Sequence, residues 1–280
     1  MKWRSTSLRQ EVSQSISEIY HENTKERARV APLMLDLPVQ RGHWYRAFKK
    51  YPHRQRIAME KPSPLVSPGL EQAIARRRSI REYSDEPISL DQLSRVLFFS
   101  GGVTGKVSGE VTIPLRAAAS AGALYPIEMY PVVEAVEGLE PGVYHYDVEG
   151  HALEFLRGGR YRTQLFEDCH RQDMMLKASA IIIMTAVFGR TKIKYGERGY
   201  RYVLLDAGHL GQNIYLECTA LGLGCATVGG FLDDRVNALV GVDGLQESTV
   251  YIAVIGRPDS AAGRSGCSEP ACGERGLPQG

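Results

Sequence analysis

The run Ala178-Ser-Ala-Ile-Ile-Ile-Met-Thr-Ala-Val-Phe188 is the most apolar in the chain and constrains the fold more than any other segment. It is too short to cross a bilayer, which takes about 20 residues. Its β-branched centre, bounded by polar residues, predicts a buried central strand. The flanking pattern supplies partners for it. Residues 69–78 predict a helix that runs into an arginine-rich motif. Ser89 caps a second helix over 90–100, with Gln92 at the capping-box position and Gly101-Gly102 as the stop. Residues 105–110 read as a polar, flexible loop. Strands are expected at 127–136, and at 142–147 paired with 151–157 through a turn at Glu149-Gly150. Helices over 160–170, 200–221 and 233–240 and strands at 225–228 and 249–256 complete the series. Strands and helices without a steady βαβ rhythm predict an α+β fold, one central mixed sheet flanked by helices.

Three regions follow from the punctuation of the chain. Residues 1–65 read as an N-terminal accessory arm. Weak helical spacing at Val12, Ile16 and Ile19 gives way to a stretch dense in proline and aromatic residues, including Pro32, Pro38, Trp44, Tyr45 and Phe48. Prolines this frequent predict an extended arm that packs on the main body without a core of its own. Residues 66–258 form the main domain. Residues 259–280, rich in Gly, Ser, Pro and charge, are expected to be disordered.

Bulk properties exclude several classes. A formal net charge of +2 offers no electrostatic case for nucleic acid. The five cysteines include no C-x-x-C pair, which predicts a reduced, cytoplasmic protein with Cys267 and Cys272 as free thiols and no metal centre. The basic start Met1-Lys2-Trp3-Arg4 has no apolar segment behind it, so neither a secretory signal nor a membrane association is expected.

Four segments carry chemistry. Arg116 precedes a loop of short side chains, Ala117 to Ala123, which lets backbone lie flat against a planar ligand. Arg77, Ser79 and Arg81 alternate, so an extended segment puts them on one face, with Arg78 and Ile80 on the other. Two cations and a hydroxyl there suit a phosphate and an electron-rich ring edge; a helix C-terminus whose arginines meet the dipole accounts for the same residues. Gly229-Gly230 reads either as a turn after a strand or as backbone left bare for a ring. Lys194-Tyr195 lies in a charged run, Arg190 to Arg198, of the kind that is solvated surface unless a site recruits it. Asp206, His209 and Asn213 share a face of the long helix, for a ligand or for a buried network at a subunit contact. Asp-His does not indicate a hydrolase, because no Gly-x-Ser-x-Gly elbow accompanies it. Gly222, Gly224 and Gly229 follow a helix, so they do not make a dinucleotide loop. Tyr144, His145 and Tyr146 fit a pocket wall or ordinary strand packing.

Arg77-Arg-Ser-Ile-Arg-Glu-Tyr83, Ser120-Ala-Gly-Ala-Leu-Tyr-Pro126, Lys194-Tyr-Gly-Glu-Arg-Gly-Tyr-Arg-Tyr202, Asp206-Ala-Gly-His-Leu-Gly-Gln-Asn213 and Gly229-Gly-Phe231 together resemble the flavin-dependent nitroreductase superfamily. Within it the chain is most similar to SagB-type dehydrogenases, which include azoline oxidases. The resemblance runs from about residue 68 to 257. It implies a nitroreductase-like homodimer that binds FMN and transfers hydride through the flavin N5. By resemblance, Arg77, Ser79, Arg81 and Arg116 would serve the cofactor. Ser120 and Gly122 would approach its ring from the other subunit, and Gly229-Gly230 would offer a backbone N–H toward N5. The resemblance also puts a basic residue on the phosphate after the last strand, Arg257 or Arg264 here, although the tail lacks a Lys-x-Arg. Lys194 and Tyr195 would take the proton, with burial lowering the lysine's affinity for it. The implied substrate is a heterocycle in a peptide or small molecule. An NAD(P)H-dependent nitro or quinone reductase, and a flavin-binding subunit without turnover, stand as alternatives.

Overall fold

The computed structural model describes residues 15–25, 48–65, 68–108 and 112–259. The proline-rich stretch at 32–45 and the tail from 260, with Arg264, Cys267 and Cys272, lie outside the described residues. In chain order the elements are α1 (Ile16–Asn23), β1 (Arg56–Ala58), α2 (Leu70–Arg76), α3 (Leu90–Gly101), β2 (Val103–Val107), β3 (Ile113–Arg116) and β4 (Ile127–Val133). They continue with β5 (Gly142–Asp147), β6 (Ala152–Gly158), α4 (Arg162–Asp168), β7 (Ala180–Val187), α5 (Phe188–Tyr195), α6 (Gly199–Ala220), β8 (Gly224–Val228), α7 (Asp233–Val240) and β9 (Glu247–Gly256).

Seven strands form one sheet in the order β1-β6-β5-β4-β7-β9-β8. The apolar run is its centre: β7 is paired along its length with β4 and β9. Its side chains alternate between two cores, as a two-residue period requires. Ile182 and Met184 join Leu93, Val96 and Leu97 of α3 and Val203, Leu210 and Ile214 of α6. Ile181 and Ile183 join Leu165 of α4 and Val236 and Leu239 of α7. Burial on both faces explains why this strand shows no polar alternation.

The expectation of a mixed sheet is corrected. Every ladder in this sheet is antiparallel. The helical connection from β7 to β8 returns the chain in the direction of β7, but β9 inserts between the two and opposes both. No parallel pair is therefore formed within the sheet. The loop expected at 105–110 is corrected over 105–107, because Val103–Val107 pairs with Ile113–Arg116 as a separate hairpin, while 109–110 lie outside the described residues. Val103, Val107 and Ile113 supply the ladder, and the polarity at Thr104 and Lys106 belongs to a solvated face.

Local signals set several boundaries. The Ser89 hydroxyl accepts from the Gln92 N–H at 3.1 Å while the Gln92 side chain accepts from the Ser89 N–H at 3.0 Å, closing the capping box of α3. Residues 48–65 lie along the main body. Phe48 packs on the α3/α6 core, and β1 extends the sheet edge beside β6. Lys49 reaches Glu247 and the Tyr130 hydroxyl, each at 2.6 Å. Among the described residues no helix is long and apolar enough to cross a membrane.

Candidate functional site

The small-residue loop is held in an unusual conformation. Gly122, Ala123 and Tyr125 all lie in the left-handed region, at φ 63°, 53° and 47°. For Ala123 and Tyr125 this costs on the order of 1–2 kcal/mol each, so the surroundings must impose it. They do. Both oxygens of the buried Asp206 face the loop: Oδ2 accepts from the Ser120 hydroxyl at 2.6 Å, and Oδ1 from the Ala121 N–H at 3.4 Å. The Ser120 Oγ in turn accepts from the Tyr125 N–H at 2.9 Å. His209 Nδ1 lies 3.0 Å from the Ala119 carbonyl, and Arg190 donates to the Tyr125 carbonyl at 3.1 Å. Burial raises the Asp206 pKa, opposed by the Ser120 and Ala121 hydrogen bonds and by His209.

This loop meets the Lys-Tyr pair. A Cβ placed on Gly122 would stand 2.8 Å from the Tyr195 hydroxyl and 3.2 Å from Lys194 Nζ. Glycine suits the positive φ there, and a Cβ would displace the ends of the Tyr195 and Lys194 side chains. The charged run predicted as surface is mostly the helix α5, anchored at its first turn. Buried Arg190 pairs with buried Glu128 at 2.5 Å while Lys194 stays exposed. That exposure corrects the expectation of a buried lysine, because α5 turns its Arg190-Thr191 side inward. Tyr195 packs edge-on against Tyr202 at 4.9 Å.

The arginine motif lies elsewhere. Arg77 caps the C-terminus of α2 and stands over the Tyr215 ring at 5.2 Å. Ser79 Oγ lies 2.9 Å from the Tyr215 hydroxyl, which also accepts from the Thr227 N–H at 2.9 Å. Ile80 bonds to the Cys225 carbonyl at 2.9 Å, which seats the motif along the end of β8. The alternation holds for Arg77 and Ser79, which share Tyr215. Arg78 instead donates to the Ala75 and Arg77 carbonyls, and so satisfies the helix terminus. Arg81 is exposed. Neither Arg77 nor Arg81 has an ion-pair partner among the described residues. Just beyond Thr227, Gly229 and Gly230 are exposed, and neither takes a positive φ. No atom lies within 4 Å of a Cβ on Gly229, and one on Gly230 would meet His170 Cδ2 at 3.4 Å.

Two predicted residues are engaged inside the chain. Arg116 is half-buried between the rings of Phe48 (5.2 Å) and Tyr125 (4.9 Å), and its pKa is lowered to about 10 by desolvation, against the pull of Glu128. Arg257 donates to the Pro87 carbonyl at 2.9 Å and lies 3.6 Å from Glu86. The site residues thus form two groups at different stations of α6. Asp206 and Tyr215, nine positions apart, are separated by about 13 Å of helix.

Sequence reading missed Tyr215 and the buried cluster under the loop. His145 bridges Glu154 at 2.8 Å and Glu128 at 3.1 Å in the sheet, and Tyr144 and Tyr146 are buried beside it. These residues are strand packing rather than a pocket wall. A glutamate within the apolar strand Ile127–Val133 was the one available signal.

The fold and the site define an α+β protein whose seven-stranded sheet is covered on both faces and whose long helix α6 carries both groups of site residues. Residues 74–257 match the Nitroreductase family, and the chain belongs to it. It is a nitroreductase-family oxidoreductase. MJ1384 of Methanocaldococcus jannaschii, a nitroreductase by name, is 37% identical over 188 residues, 67% of this chain and 90% of that protein. The trifolitoxin-processing protein TfxB of Rhizobium leguminosarum is 28% identical over 180 residues, covering 62% of this chain and 48% of TfxB. The microcin B17-processing protein McbC of Escherichia coli is 31% identical over 132 residues, covering 44% and 47%. A solved structure from Anabaena variabilis, also a nitroreductase by name, superposes with a TM-score of 0.69 at 32% identity, covering 86% of this chain and 46% of that one. The chain therefore spans about half the length of TfxB, McbC and the Anabaena protein. The resemblance drawn from the motifs is borne out, with TfxB and McbC as homologues of the SagB type.

Proposed function

We propose that the protein is a homodimeric, FMN-dependent oxidoreductase that dehydrogenates an azoline or related heterocycle carried on a peptide. The observation that carries the FMN assignment is the strip formed by Arg77, Ser79, Thr227 and Gly229. Among the described residues neither Arg77 nor Arg81 has a carboxylate partner, and the bare backbone of Gly229 faces open space with no conformational need for glycine. A dianionic phosphate and a flat ring fit these features. FMN, when bound, accepts or donates hydride at N5. Arg77, Ser79 and Arg81 would hold its charged end, and the exposed backbone at Gly230 would offer its N–H to the ring. Arg116 and Arg257, engaged within the chain, support the surrounding structure.

The 13 Å separation along α6 favours a site completed across a dimer, with Ser120 and Gly122 of one copy approaching the ring held by the other. The names of TfxB and McbC, processing proteins of peptide products, favour a peptide substrate. Oxidising an azoline to an azole removes a carbon-bound proton and a hydride. Lys194, exposed in a single copy, would act as the base only where bound substrate and the second copy desolvate it, and the Tyr195 hydroxyl orients it, both beside Gly122. The residues 1–65 serve as an accessory arm to the domain at 66–258. A second reading, reduction of nitro compounds with NAD(P)H, is favoured by the likeness to MJ1384 over 90% of its length.

The purified chain separates these readings. A bound flavin whose visible band bleaches with an azoline-bearing peptide, and not with NAD(P)H, supports the dehydrogenase. Bleaching by NAD(P)H with recovery on a nitroaromatic supports the reductase. A flavin moved by neither indicates a binding subunit, and a colourless chain that cannot be reconstituted refutes the FMN assignment.

A further inference from the structure

We infer that Asp206 is a positioning residue, which acts through Ser120 to hold the loop 119–125 against Lys194 and Tyr195. This deepens the proposed function and rests on it for the role of the Lys-Tyr pair.

The inference starts from the loop's strain. Gly122, Ala123 and Tyr125 occupy the left-handed region within four consecutive residues. The loop's own bonds are few: Ala123 N–H to the Ser120 carbonyl at 3.1 Å and a longer contact of 3.4 Å from Leu124 to Ala121. Such a segment does not keep its shape unaided. The Asp206 carboxylate is placed to supply what is missing. It accepts a short, charge-assisted hydrogen bond from the Ser120 hydroxyl. That leaves the Ser120 oxygen aimed at the Tyr125 N–H, so one carboxylate fixes both ends of the turn. Between those ends sits Gly122, in contact range of Tyr195 and Lys194. Asp206 touches neither of them, so its influence runs through the loop.

The surroundings support an active clamp over inert packing. Asp206 and Ser120 line a cavity with Arg116, Ala118, Tyr125 and Leu210. A carboxylate at a cavity wall, spent on two loop donors and without an ion-pair partner among the described residues, costs the fold desolvation that an apolar residue would avoid. A carboxylate at this position is accounted for if the loop must be held in one shape.

The test uses the full chain in three variants and a control. Asp206→Ala removes the clamp, Asp206→Asn keeps an acceptor oxygen, and Ser120→Ala cuts the relay. Ile214→Val, buried on the same helix, serves as a destabilised control away from the loop. Hydrogen exchange of the 117–126 segment reads the loop directly, with or without cofactor. Asp206→Ala should speed exchange there by about 10-fold or more, with Ser120→Ala similar, Asp206→Asn intermediate and Ile214→Val unchanged. In the loaded protein, Asp206→Ala should lower kcat by up to about 10²-fold with KM little changed and flavin content kept. Asp206→Asn should recover part of that loss. Unchanged exchange in both Asp206→Ala and Ser120→Ala overturns the inference, as does an equal loss of kcat in Ile214→Val. A wild-type chain that takes no flavin defeats the proposed function instead, and the exchange result still decides the role of Asp206.

Discussion

Replacing Gly229 by alanine adds one methyl group where the chain has nothing within 4 Å and where φ lies outside the left-handed region. In the flavin-free protein this change removes unfolded-state freedom without native strain, so it should stabilise by about 0.4–1 kcal/mol. For a domain of this size that is a rise in Tm of about 1–4 °C. With flavin the sign reverses. A methyl group pressed on a ring packed against bare backbone costs about 1–3 kcal/mol of overpacking, which weakens the FMN Kd by about 5- to 150-fold. Scanning calorimetry of the flavin-free chain and a fluorescence titration with FMN measure the two effects separately. A higher Tm with an unaltered Kd would refute a ring at Gly229. A lower Tm without flavin would show that protein already fills the space. Gly230→Ala is the companion: its methyl meets His170 at 3.4 Å, an ordinary contact, so stability should hold while FMN affinity falls.

Arg77→Ala and Arg81→Ala should each weaken FMN binding by about 1.5–3 kcal/mol, and unchanged flavin content in both would count decisively against the arginine motif. Lys194→Ala should keep the flavin and slow turnover by about 10²–10⁴-fold; normal turnover would remove it from the reaction. Burial would raise the Glu128 pKa, but Arg190 and His145 hold it at about 2, so its contribution is present above 4.5 and is lost as pH falls toward 2. That gap is worth about 3 kcal/mol. Burial likewise opposes a charged His145, yet its hydrogen bonds to Glu128 and Glu154 raise its pKa above 6.5. The His145 contribution is complete below 6.5 and is lost as pH rises through the folded value. Urea denaturation across pH should therefore show both limbs flattened in Glu128→Gln, and curves parallel to wild type would disprove the coupling.

What the chain determined unaided was whatever depends on near neighbours. The β-branched run at 178–188 needed no partner to be read as a strand, because only burial on two faces suits it. Ser89 and Gln92 close a capping box three residues apart, and Arg77, Ser79 and Gly229 stood out as candidates through the family resemblance, each with an ordinary structural reading beside it. Tertiary structure decided the rest, and always through distance in sequence. The sheet is antiparallel because β9 enters between β7 and β8, an event no local pattern encodes. Lys194, already a candidate by resemblance, comes to stand beside Gly122 because α5 is pinned by Arg190 to Glu128, across the sheet rather than along the chain. Asp206 acquired its role from a serine 86 residues away. A buried charge is tolerated only where a counter-charge or hydrogen-bond donors meet it, and the fold alone brings them together.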